Sequence, residues 1–173
     1  MTFSVRPLTI DDCDELVALR LEALRNDPGM FASSYEDALK RTKKDWQDLL
    51  VHGGTRCFGL YDVKKPIGLV STYIKKDDAT NATAGIGMLY IQPEYRGRGL
   101  ARQLFEQCVS WSMKQHSLKK LVVACRHDNE ASRRVIEGSG FVFTHRASRL
   151  WPDNVTCDEM WYALDLERLR PAS

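Results

Sequence analysis

With 173 residues, 43% of them hydrophobic and 28% charged, the chain fits one domain spanning residues 1–173, large enough to bury a core without a disulfide or a metal. Its formal net charge of +2 is carried in local pairs such as Lys43-Lys44, Lys64-Lys65 and Lys119-Lys120, not in the continuous basic stripe of a nucleic-acid binder. Five scattered cysteines (Cys13, Cys57, Cys108, Cys125, Cys157) form no CxxC pair, MTFSVRPLTIDD carries no signal region, and no run reaches about 20 apolar residues. The expectation is a cytoplasmic protein with reduced thiols, no metal, no nucleic-acid partner and no membrane association.

FSVRP alternates and is stopped by Pro7, so residues 3–6 read as a short strand. Thr9 or Asp11 then caps a helix running to about Asn26, with Leu16, Val17, Leu21 and Leu24 on its apolar face and Asp27-Pro28-Gly29 ending it. MFASSYEDALKRTKKDWQDLLVHGG reads as helix in two pieces, closed by Gly53-Gly54. RCFGLYD and IGLVSTYI follow as a hairpin turning at Val63-Lys64-Lys65-Pro66. After the polar loop KKDDATNAT, GIGMLYI is a fourth strand without charge, which predicts burial on both faces.

The loop QPEYRGRG comes next, then a helix from about Gly99 to His116 with Leu100, Leu104, Phe105, Cys108, Trp111 and Met113 on one side. LKKLVVACR is a fifth strand, Asn129 to Ser139 a helix, FVFTHR a sixth strand and MWYALDL a seventh, the last two joined by a loop through Trp151-Pro152-Asp153-Asn154. The order β-α-α-β-β-β-α-β-α-β-β describes one mixed α/β (α+β) domain, an antiparallel meander followed by a parallel βαβ crossover.

That crossover passes through QPEYRGRGLA, where two glycines and two arginines stand between an apolar strand and an amphipathic helix. Glycine there costs order, and neighbouring arginines repel each other. A helix start presents unpaired N–H groups and the positive end of the macrodipole, so an anion, and a pyrophosphate above all, would compensate both. A Rossmann fingerprint would need a glycine where Arg102 stands, and a P-loop would need Gly-Lys-Ser/Thr. On glycine content alone, a tight strand-to-helix turn with surface arginines is an equal reading.

The surrounding residues tip that balance. LYIQPEYRGRGLARQLFEQCVSW resembles the acyl-CoA-binding core of the GNAT-type N-acetyltransferase superfamily, whose Arg/Gln-x-x-Gly-x-Gly/Ala hallmark is matched by Arg96, Gly99 and Ala101. A second element matches as well: the strand LVVACR, then Asn129, then a helix ending in Gly140-Phe141 at the family's spacing. The opening helix followed by FASSYEDAL is also similar to members of this superfamily.

The resemblance implies a mostly antiparallel central sheet of about seven strands, splayed between the fourth and fifth and flanked by about four helices. Acetyl-CoA would be the co-substrate. Backbone groups of Leu89 to Ile91 would pair with the pantetheine arm, and Arg96 and the N–H groups of Gly97, Arg98, Gly99, Leu100 and Ala101 would hold the pyrophosphate. Asn129 would flank the arm, with Arg133 near a phosphate. A homodimer is open, since relatives are often dimers.

Two side chains that relatives use in catalysis are absent: the tyrosine seven residues after the asparagine is Ile136, and the glutamate five residues before it is Ala124. Substitutes are Tyr90 on the fourth strand, Cys125 on the fifth, and Glu36 where relatives build the acceptor pocket; each also reads as an ordinary structural residue. Water could serve as base with no essential side chain. Arg20, on the first helix, is either half of a surface ion pair or a group that meets an acidic acceptor. The expected activity is acetyl transfer by direct attack of a primary amine in a ternary complex, with a small-molecule acceptor. The alternatives are a protein N-terminus or lysine as acceptor, or a CoA-binding module with little turnover.

Overall fold

In chain order the elements are β1 (Phe3–Pro7), α1 (Cys13–Asn26), α2 (Tyr35–Leu39), α3 (Lys43–Val51), β2 (Thr55–Asp62), β3 (Lys65–Ile74), β4 (Thr83–Ile91), α4 (Leu100–Lys114), β5 (Lys120–Arg126), α5 (Glu130–Gly138), β6 (Val142–Leu150) and β7 (Thr156–Asp165). They are taken from a computed structural model of the protein, which describes residues 2–171. The seven strands form one sheet in the order β1-β2-β3-β4-β5-β7-β6. Only β4 and β5 pair in parallel; every other neighbour is antiparallel. Among the described residues no helix is long and apolar enough to cross a membrane.

Local chemistry accounts for the helix boundaries. The first helix opens as a 3-10 turn, Ile10–Asp12, because Asp12 takes hydrogen bonds from the Thr9 N–H (2.8 Å) and from Arg6 (2.7 Å), so the α-helix proper begins at Cys13. The two-piece segment consists of two separate helices, each with its own cap: Ser34 accepts from the Asp37 N–H, and Thr42 forms a capping box with Asp45. Among the described residues the α-helices therefore number five.

Alternation along the strands divides the core into two layers. Leu60, Val70 and Ile91 face α4 and α5 with Leu104, Phe105, Leu121 and Phe141, while Tyr61, Leu69 and Tyr90 face α1 and α3 with Leu16, Leu19 and Trp46. The last two strands are longer than the sequence predicts, since β7 begins at Thr156 and β6 runs on to Leu150. Both extensions are rich in polar residues, which hides them from an apolar pattern. β7 also inserts between β5 and β6.

The fourth strand departs from its expected burial at one place. Ala84 to Ile86 and Tyr90 to Ile91 are buried, but Gly87 to Leu89 are only half-buried. Here Ser71 pairs with Gly87 and Leu69 with Tyr90, so Val70 alone opposes both Met88 and Leu89. This is a β-bulge, with Met88 in the left-handed region at φ 58°, a conformation that costs a non-glycine residue about 1–2 kcal/mol. The bulge bends β4 away from β5. Pairing covers Thr83–Ile86 against Lys120–Val123 and then stops, while β5 stays paired with β7 through Arg126. An open wedge results.

Candidate active site

A cleft of about 1570 Å³ runs through this wedge. Its walls are Gly87 to Ile91 of β4 and Val123 to Cys125 of β5, joined by the start of α4 and by α1 with the segment after it.

At the α4 end, Gly97 and Gly99 have φ of +76° and +74°, and a Cβ placed on either would meet nothing within 4 Å. The glycines serve conformation here, and the space before them is open. Gly99 is the N-cap, no side chain caps the helix, and its first turn holds no acidic residue. A 15-residue helix thus offers its positive end and unpaired N–H groups to the cleft. Leu100 and Ala101 continue the wall. This geometry fits a pyrophosphate.

The arginines are partly engaged. Arg96 donates from Nε to the Ile91 carbonyl (2.8 Å) and from Nη2 to Asp27 Oδ2 (2.6 Å), and it stands over the Tyr90 ring. Arg98 donates to the Glu94 carbonyl (3.1 Å) and lies over Tyr95. The anion that offsets Arg96 is therefore Asp27, inside the chain. That leaves the backbone as the loop's principal open binding group. Arg102, which the sequence reading passed over, lies on the cleft wall and pairs with Glu106.

Leu89 belongs to the bulge and Ile91 lies just beyond it, and no β5 residue pairs with either. Asn129 lines the opposite wall as N-cap of α5. Its Oδ1 accepts from the Ser132 N–H (3.1 Å), and its amide nitrogen makes no hydrogen bond among the described residues. Arg133 is half-buried, near enough to Cys125 to act on it electrostatically, but it is not part of the cleft wall.

Of the three proposed catalytic side chains, two line the cleft and one does not. Tyr90 lines the cleft, donates its hydroxyl proton to Glu22 Oε1 (2.8 Å) and accepts from Asn26 (3.0 Å); Gln92 donates to the other Glu22 oxygen. Burial, then the bond to Glu22, pushes the phenol up to about 12. Cys125 lines the β5 wall, and burial pushes its thiol up to about 11, with the Arg133 charge and a Ser132 hydrogen bond pulling the other way. Glu36 is exposed in the first turn of α2 and lies outside the cleft.

Two features were missed, and the setting of a third, Arg20, was not foreseen. Arg126 donates to the Gly29 carbonyl (3.2 Å) and pairs with Asp153, tying the segment after α1 to the β6–β7 loop. Glu159 of β7 is buried on the cleft wall, held by Trp161 Nε1 (3.1 Å) and Arg149 (3.0 Å). Arg20, a surface residue on the plainer sequence reading, is only 6% exposed and lies over the Phe31 ring at 4.6 Å. A pair of acids between apolar neighbours, as in CDEMW, was the available signal for Glu159.

The sequence profile of the acetyltransferase (GNAT) family matches residues 17–141, from α1 through both motifs to Phe141. The chain belongs to the acetyltransferase (GNAT) family. GNAT enzymes take their acetyl group from acetyl-CoA. The ribosomal-protein-serine acetyltransferase of Escherichia coli is 25% identical over 114 residues, which is 65% of this chain and 60% of that protein, less than two thirds of its length. A GNAT-family acetyltransferase from Streptococcus pneumoniae superimposes with a TM-score of 0.81 at 18% identity, covering 95% of this chain and 99% of that one. YncA of Salmonella typhimurium, solved with acetyl-CoA, superimposes at 0.80 with 17% identity, covering 100% and 98%. At these identities the solved structures establish the fold, the open GNAT sheet.

Proposed function

We propose that the protein is an acetyl-CoA-dependent N-acetyltransferase acting on a small primary amine by direct attack in a ternary complex. The observation that carries this reading is the continuity of the cleft. The uncapped N-terminus of α4 opens into a wedge whose β4 edge has lost its strand partner.

Acetyl-CoA supplies the acetyl group as a thioester. The N–H groups of Gly97 to Ala101 would hold its pyrophosphate, the backbone of Leu89 to Ile91 would pair with its amide arm, and Asn129 would flank the arm from α5. A backbone N–H at the bulge would stabilise charge building on the carbonyl oxygen, a contribution of about 3–4 kcal/mol; holding both substrates in place adds about 7–11 kcal/mol. As the new C–N bond forms and the C–S bond breaks, the amine loses a proton and the thiolate gains one.

Neither Tyr90, held at about 12, nor Cys125, held at about 11, is deprotonated at neutral pH, so neither serves as base. A thiol at about 11 is also a weak donor to a thiolate of ordinary pKa near 8.5. We assign the proton transfers to water in the cleft, with Tyr90 and Cys125 shaping its walls.

Calorimetric titration with acetyl-CoA, with a thiol-release assay over an amine panel, tests the reading. Saturable micromolar binding with thiol release supports it, binding without release with any amine marks a CoA-binding module, and no saturable heat up to millimolar ligand ends it. A second reading, a protein N-terminus or lysine as acceptor, is favoured by the likeness to the ribosomal-protein-serine acetyltransferase; intact N-terminal peptides in the same panel decide between the two.

A further inference from the structure

The acidic side chains lining the cleft each have a cation of their own. Asp27 pairs with Arg96, Asp48 with Lys44, Asp77 with Lys75 and Glu159 with Arg149. The converse does not hold. Arg20 lines the cleft at 6% exposure, no carboxylate lies within ion-pair distance of it among the described residues, and its buried Nη1 has no hydrogen-bond partner. The Phe31 ring lies against the flat face of the guanidinium and gives Nη1 no acceptor. Arg41, also on the cleft wall, lies over Trp46 and likewise has no carboxylate within ion-pair distance among the described residues.

A charge taken out of water without a partner is strongly disfavoured. Burial, with the nearby Arg41 charge, pushes Arg20 down to about 10, which still leaves it cationic at neutral pH. Such an arrangement makes sense when the partner arrives from outside.

We propose that the acceptor amine carries an anionic oxygen group, a carboxylate or a phosphate, and that Arg20 binds it and so selects the substrate. This deepens the N-acetyltransferase reading and rests on it. Arg20 is a specificity residue, placed on the α1 side of the cleft beside Phe31. The planar guanidinium suits either oxyanion through paired N–H bonds, so the source of the anion is a matter for the test.

The experiment measures thiol release from acetyl-CoA with matched amines: glycine against glycinamide, β-alanine against its amide, and O-phosphoethanolamine against ethanolamine. Wild type is compared with Arg20→Met and Arg20→Lys. The anionic member of at least one pair should show kcat/KM at least tenfold higher. Arg20→Met should abolish that preference, mainly through KM, and Arg20→Lys should keep part of it. Preference for the amino acids names a carboxylate, and preference for phosphoethanolamine a phosphate. Equal rates within every pair, or a preference that survives in Arg20→Met, would overturn the proposal.

A second measurement needs no turnover. Succinate or inorganic phosphate, at matched ionic strength, should raise the melting temperature of the CoA-saturated wild type and not of Arg20→Met, whereas succinamide should affect neither. The same response in both proteins overturns the proposal. A variant that melts well below wild type, with no anion response in either, marks Arg20 as structural and overturns it too. An anion response in wild type alone, with no thiol release from any amine, would uphold the anion site and sink the transferase reading.

Discussion

Asp27, just past the end of α1, holds Arg96 of the glycine–arginine loop through a 2.6 Å contact at a sequence separation of 69. Because Arg96 also grips the Ile91 carbonyl, this one side chain connects α1, the end of β4 and the loop that leads into α4. Its role is to set the loop's shape before ligand arrives. Asp27→Asn should weaken acetyl-CoA binding about three- to tenfold by calorimetry. The ion pair is partly exposed, so the change in unfolding free energy should stay below about 1 kcal/mol. Unchanged affinity would show that the loop holds its shape unaided.

Gly99 separates conformational strain from charge. A Cβ meets no neighbour there, so Gly99→Ala should cost about 1–2 kcal/mol for its left-handed backbone and reduce acetyl-CoA affinity less than tenfold. Gly99→Glu places a carboxylate at the positive end of α4 and should reduce affinity more than 100-fold. Similar losses in the two variants would argue that strain, and not the anion site, is responsible.

Removing the Tyr90 hydroxyl leaves the Asn26 amide without its acceptor and one Glu22 oxygen without its donor. Tyr90→Phe should lower stability by about 1 kcal/mol and kcat by less than tenfold. A loss of about 10²–10⁴-fold would instead make Tyr90 a proton-transfer residue.

With the Cys125 thiol near 11 and the phenol near 12, neither group imposes a limb on the rate below about pH 10. The rising limb of kcat/KM should therefore follow the acceptor's own ionisation. Acceptors of different amine pKa, assayed across pH, should give limbs that move with the amine; a limb fixed at one pH would reveal an ionising protein base.

Asp12 links the N-terminal strand to α1 and makes stability acid-sensitive. The Arg6 guanidinium, and then hydrogen bonds from Thr9, hold its carboxyl well below the ordinary value of 3.8. A depressed folded-state value contributes stability that is complete above the unfolded pKa and is lost as pH falls towards the folded one. Melting temperature should accordingly be insensitive to this group from pH 7 to about 5 and decline below about pH 4. Asp12→Asn should flatten that decline and lower the neutral-pH plateau; an unchanged acid limb would assign it to other carboxylates.

The order of elements was legible because apolar spacing switches between periods of two and 3.6 along this chain, and Pro7, Gly53-Gly54 and Gly138-Ser139-Gly140 punctuate it. The cofactor end of the cleft was legible for a different reason. A strand, two glycines and a helix that are adjacent in sequence build it almost alone. The rest of the cleft is assembled from α1, the segment after it, β5 and β7, elements that meet only after folding. Asp27 with Arg96, Glu22 with Tyr90 and Arg126 with Asp153 are pairings of that kind, and no local pattern announces them. The burial of Arg20 was hidden for the same reason: its position on an amphipathic helix says nothing of the Phe31 segment that folds over it. The polar halves of β6 and β7 lacked the apolar rhythm by which strands are found.

The bulge at Met88 leaves β4 and β5 joined by four paired positions, Thr83 to Ile86 against Lys120 to Val123. Mechanically, the seven strands are a panel of four and a panel of three meeting at a short seam. The seam lies at one end of the wedge and the cleft at the other, so a molecule in the cleft acts as a brace between the panels. Braced, the two should lose their independence. Amide exchange in β5 and β7 should slow together with that in β3 and β4 when acetyl-CoA binds, including at positions that touch no ligand, and saturation at 100 times Kd should raise global stability by about 2.7 kcal/mol.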